Sequence, residues 1–139
     1  MIVTVALNHD LETEFRSGTP VTTWYIGLID SSGYTAVATA DTMSSHAGWT
    51  EITDYSESTR VAWSPGAAAA GVIVNGTLAS FTFTAAKTVK GLFLTSVSTK
   101  GGTTGTLFLT ALADTEMAMT SGEVLKVQLT LTAAAGVGS

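Results

Sequence analysis

Two rhythms of apolar residues divide this chain. Between residues 6 and 15, Leu7, Leu11 and Phe15 recur at every fourth position with Asp10, Glu12 and Glu14 between them, and Ser17-Gly18 follows as a stop. Side chains four apart share one face of an α-helix, so the spacing predicts a short amphipathic helix over 6–15. Such a helix either plugs one end of a domain or acts as an arm that packs on a neighbouring subunit through Leu7, Leu11 and Phe15. Residues 1–20 are read as this N-terminal arm.

After Pro20 the period becomes two. Residues 21–29 are rich in β-branched and aromatic side chains, lie between Pro20 and the turn-forming Asp30-Ser31-Ser32-Gly33, and read as a central strand. Over 78–84, Ala79, Phe81 and Phe83 alternate with Ser80 and Thr82, which predicts a strand with its phenylalanine face inward. Residues 88–96 and 105–112 form two more strand-like runs, and Lys100-Gly101-Gly102 between them marks a hairpin tip. The last run, 124–132, sets Val127, Leu129 and Leu131 against Lys126, Gln128 and Thr130 and predicts one continuous strand. Pro65-Gly66 and Gly71 confine the alanines at 67–70 to a compact loop, too short for a stable helix. The expected fold is a single all-β domain over 1–139, an antiparallel β-sandwich or jelly roll with a short N-terminal helix. The small residues at 133–139 predict a tail that is mobile unless a partner holds it.

Composition sharpens this picture. The 139 residues are only 12% charged, against about a quarter in a typical globular domain, and mean hydropathy is +0.37. Thr, Ser and Gly carry the polarity instead, as suits a surface covered largely by other protein. Eleven acids and six bases give a net charge of −5. Arg16, Arg60, Lys87, Lys90, Lys100 and Lys126 are scattered singly, so no stripe exists to neutralise consecutive phosphates and nucleic-acid binding is not expected. The first residues lack a signal-peptide pattern, and no run approaches the ~18 apolar residues of a membrane helix. With no cysteine, the chain offers neither disulfides nor thiolate chemistry.

Candidate chemistry is sparse. His9 and His46 have no metal-ligand spacing, so no metal site or cofactor is predicted, and His46 reads as a hydrogen-bonded loop residue. Asp41, Glu51, Asp54 and Glu57 share one acidic stretch in which paired carboxylates could bind calcium or act on a sugar. Neither a Gly-Xaa-Ser-Xaa-Gly elbow nor a phosphate-binding loop occurs, and no catalytic residue is assigned. Trp49, Tyr55, Arg60 and Trp63 fall within the same stretch. Residues of these types anchor interfaces or stack on sugars, or else the two tryptophans cap the ends of the core.

Five segments carry a resemblance: Trp24-Tyr-Ile-Gly-Leu-Ile-Asp30, Asp41-Thr-Met-Ser-Ser-His-Ala-Gly-Trp49-Thr-Glu51, Tyr55-Ser-Glu-Ser-Thr-Arg60-Val-Ala-Trp63, Lys90-Gly-Leu-Phe-Leu-Thr95 and Ser121-Gly-Glu-Val-Leu125. Together they resemble a family of small virion structural proteins of tailed bacteriophages, over about residues 22–132, through structural rather than catalytic motifs. The resemblance implies a non-enzymatic capsid decoration (cement) protein, made in the host cytoplasm and carried in the virion. Its implied partners are the major capsid protein and further copies of itself, as a dimer or trimer. Two alternatives remain: a tail, neck or fibre component that holds a glycan at Trp49, Tyr55 and Trp63, and a virion-associated glycan hydrolase using the acidic stretch.

Overall fold

In the computed structural model, which describes residues 1–133, one helix and nine strands follow the order α1 (Thr4–Phe15), β1 (Trp24–Asp30), β2 (Glu51–Ile52), β3 (Val61–Pro65), β4 (Val72–Thr77), β5 (Ala79–Thr82), β6 (Lys87–Thr95), β7 (Leu107–Met119), β8 (Val124–Val127) and β9 (Thr130–Thr132). The large sheet runs β7-β6-β1-β3-β4-β9, with β2 also on β1, and these strands pair antiparallel throughout. β5 and β8 form a separate two-stranded sheet. The all-β expectation holds as a curled antiparallel half-barrel with one short helix.

Packed layers lie on both faces of the curled sheet. On one side, Ile26, Leu28 and Leu94 of the large sheet meet Phe81, Val127 and neighbouring residues of the β5–β8 layer. On the other, Ile29, Phe93 and Leu107 meet Val3, Ala6, Met43 and Trp49 from the N-terminal arm and the long β1–β2 connection. β1 is therefore buried on both faces from Ile26 to Asp30, as its near-continuous apolar run predicts. Gly27 is required there: a Cβ would stand 2.2 Å from Cζ of Phe93, whose ring lies across β1.

The phenylalanine face of 78–84 points inward as expected, with Phe81 and Phe83 buried, and β6 and β7 form the predicted hairpin pair. β7 runs past its expected end to Met119. Val89 faces Met117 and Gly91 faces Leu112, so residues 113–116 lie opposite Lys90 alone and bulge outward. A bulge of this kind spoils the free edge of an outer strand as a pairing template.

The single strand expected over 124–132 is corrected to two. Leu129 N donates to Asn75 Oδ1 (2.7 Å), and Asn75 Nδ2 donates to Val127 O (3.2 Å). The Asn75 side chain thus takes up the backbone groups at the junction of β8 and β9, where the chain changes partner from β5 to β4. β2, β3 and β4 were not predicted. The compact loop at 67–70 tightens into a hairpin turn, in which Ala70 (φ 51°) and Gly71 (φ 75°) join β3 to β4. Ala133 N is held by Gly71 O at 2.7 Å, and the rest of the tail expected at 133–139 lies outside the described residues.

α1 starts two residues before its expected beginning and is positioned by what precedes it. Ile2 pairs with Leu109, Val3 N donates to Phe108 O, and Thr110 N donates to Met1 O, so the first residues line the edge of β7. At the predicted stop, Ser17 takes the left-handed conformation (φ 59°) and Gly18 N closes on Glu12 O (2.9 Å).

Candidate functional site

The aromatic and arginine candidates prove to be core. Trp49, Tyr55, Arg60 and Trp63 are 2%, 3%, 0% and 7% exposed, which corrects their reading as surface anchors and removes the sugar-stacking platform. Trp49 stacks on His46 at 3.9 Å and donates Nε1 to Asp41 Oδ2 (2.9 Å). His46 Nδ1 in turn lies 3.0 Å from Trp49 O, the loop role expected of it. Trp63 Nε1 donates to Asn75 Oδ1 at 2.8 Å. Tyr55 packs edge-on to Phe81 under the Lys100 ammonium, which lies 4.3 Å from the tyrosine ring. Burial pushes the Tyr55 hydroxyl far above the usual tyrosine range, with Glu51 adding to the effect.

Arg60 is the most connected of the four. Nε and Nη2 donate to both oxygens of Glu51 (2.8 and 2.7 Å), Nη1 to Val97 O and Nη2 to Gly102 O (each 2.9 Å). Glu51 Oε2 also accepts from Gly101 N at 2.9 Å. A bidentate guanidinium–carboxylate pair, with two further N–H groups donated to backbone carbonyls, is what makes this buried charge tolerable. It locks the β6–β7 loop onto β2.

The acidic stretch is engaged in the same structural way. Asp41 caps Trp49, Glu51 holds Arg60, Asp54 lies 3.4 Å from Lys87 Nζ, and Glu57 accepts the Thr82 amide. Among the described residues, no three of His, Asp and Glu converge as a metal site would require. Sequence reading missed a second charged group, assembled from residues far apart in the chain. Lys87 bridges Asp30 (3.1 Å) and Asp54, while Lys90 pairs with Glu116 (2.8 Å), which also accepts from Ser31. The Asp30 hydrogen bond raises the Lys87 pKa, and the Lys90 hydrogen bond lowers that of Glu116. Asp30, Ser31, Lys87 and Glu116 line an open cleft of about 640 Å³, and each of its three charged groups has an ion-pair partner.

Surface chemistry is concentrated instead on α1. The helix docks through Ala6 and its N-cap Val3, leaving Leu7, Leu11 and Phe15 49%, 57% and 77% exposed. The predicted stripe is present and faces outward. Asp10 and Glu14 flank it without a salt-bridge partner among the described residues, whereas Glu12 pairs with Arg16 at 3.1 Å. A shallow apolar cleft of about 370 Å³, lined by Ile2, Ile73, Phe108 and Leu131, adjoins the stripe at Asp10.

A second apolar region lies where β7 and β8 part. Gly122 (φ 91°) turns the chain between them, yet β7 pairs with β6 and β8 with β5. The gap between the two arms is a groove of about 310 Å³ lined by Leu92, Leu112, Met117, Leu125 and Lys126. Leu112 and Met117 remain 43% and 37% exposed on its rim. No protein-family model matches the chain, and no significant match was found among curated proteins.

Proposed function

We propose that this chain is a structural component of a tailed-phage particle, a capsid decoration (cement) protein that stabilises the head by bridging capsid subunits through repeated, non-catalytic contacts. The observation that carries the reading is the outward stripe of Leu7, Leu11 and Phe15 on a helix of only 12 residues. A helix this short is marginal unless tertiary packing supports it, and here its apolar side chains are offered away from the body of the fold. Exposed apolar residues grouped in this way are characteristic of protein-binding surfaces.

Three further features support the reading. The charge-poor composition suits a surface that meets protein repeatedly, and contacts of modest area hold strongly when many act together. The carboxylates of the acidic stretch are occupied in structural bonds, which weakens the hydrolase alternative. Burial of the tryptophans does the same for glycan binding. The half-barrel with its facing β5–β8 layer belongs, on this proposal, to the sandwich or jelly-roll class common among shell proteins.

Heads assembled with and without the chain provide the test. Heads that lack it should release their DNA at a lower temperature, and adding the purified protein should restore the difference. Equal resistance of the two, or absence of the chain from purified heads, would overturn the assignment.

A further inference from the structure

The exposed large apolar side chains of the described residues are Met1, Ile2, Leu7, Leu11, Phe15, Leu78, Leu112, Met117 and Val124. All but Leu78 belong to two regions, the N-terminal arm and the parting of β7 from β8. The shapes are complementary, since one is a row of projecting side chains on a helix and the other a groove. No residue lines both the groove and the helix surface around Leu11 and Phe15.

The two regions also differ in the charged side chains that line them. Arg16, Arg60, Lys87 and Lys90 each have a carboxylate partner, and Lys100 is bonded to the carbonyls of Thr53 and Tyr55. Lys126, on the groove wall, has no carboxylate partner among the described residues. Asp10 and Glu14, flanking the stripe, have no basic one. Stripe against stripe across a two-fold axis would set two acidic rows face to face, and groove against groove would oppose the two Lys126 side chains. Like charges brought together in an interface are costly. Stripe into groove matches apolar surface with apolar surface and an acid with the unpaired lysine.

We therefore propose that the chain associates head to tail with copies of itself, the Leu7–Leu11–Phe15 stripe of one copy seating in the β7/β8 groove of the next, with Glu14 facing Lys126. A contact between two different patches closes on a reciprocal dimer, each copy's stripe in the other's groove, or on a ring of three or more; in either, every stripe and every groove is covered. This deepens the reading of the chain as an assembly component by naming its self-contact.

Sedimentation of the purified full chain tests the contact without phage particles, so its failure is distinguishable from failure of the decoration role. The wild type should form a closed oligomer of defined size. Leu11→Glu, which spoils the stripe, and Leu112→Glu, which spoils the groove, should each give a folded monomer by circular dichroism. Mixed in equal amounts, the two variants should form a heterodimer, because each retains the half that the other lacks. Lys126→Glu should weaken association roughly tenfold or more, and adding Glu14→Lys should restore it; this charge swap decides the matter should either leucine variant fail to fold. A wild type that stays monomeric at about 1 mM, an oligomer that survives either leucine change, a mixture of folded variants that stays monomeric, or a charge swap without restoration would overturn the proposal.

Discussion

A buried guanidinium is costly to leave half-paired, and Arg60 is wholly buried with both Glu51 oxygens and two carbonyls around it. Arg60→Met should lower the unfolding free energy in urea by about 3–5 kcal/mol, the cost of stranding a buried carboxylate. Removing Glu51 as well, as Arg60→Met with Glu51→Leu, should cost less than the two single changes summed. Tyr55 makes the opposite prediction, because its buried hydroxyl has no hydrogen-bond partner among the described residues. Tyr55→Phe should leave stability at neutral pH unchanged or raise it by up to about 1 kcal/mol. The pKa direction adds an alkaline signature. Below about pH 10 the tyrosine is protonated in both folded and unfolded chains, and above it only the unfolded chain ionises, so stability falls as pH rises. Urea titrations from pH 8 to 12 should show a shallower alkaline loss for Tyr55→Phe than for the wild type.

The elements differ in how plainly the sequence announces them. α1, β1, β5 and β6 were legible because local pattern and packing agree: a four-residue period, a long apolar run, alternating phenylalanines. β8 and β9 read as one strand in the sequence because side-chain alternation continues unbroken from Leu125 to Thr132, while the break comes from Asn75, about fifty positions earlier. Asn75→Ala should expose that dependence, costing about 2 kcal/mol or more as the Trp63 indole and the Leu129 amide lose their acceptor. Hydrogen exchange at the Leu129 amide should accelerate more than exchange in β1. The same limit explains the candidate site. Interface-type residues signal burial of aromatic area but not whether a partner or the chain's own core supplies it, and for Trp49, Tyr55, Arg60 and Trp63 the core does. The helix stripe was legible as a stripe, and only the placement of Val3 and Ala6 showed which side faces out. Phe15→Ser should accordingly change the unfolding free energy of the monomer by no more than about 0.5 kcal/mol, measured in urea at concentrations too low for copies to associate.

At the scale of the molecule, the proposed role ties the low charge and the outward apolar helix to one property: a surface prepared for other protein rather than for water. Ion pairs within the fold engage most of the bases, while Asp10, Glu14 and Lys126 stand beside apolar patches without an ion-pair partner among the described residues. The most direct test is a cryo-electron microscopy reconstruction of the phage head at side-chain resolution. Copies of the chain should lie on the shell with Leu7, Leu11 and Phe15 buried against neighbouring protein. A head carrying the chain with those three side chains open to solvent, or a head without the chain, would contradict the account.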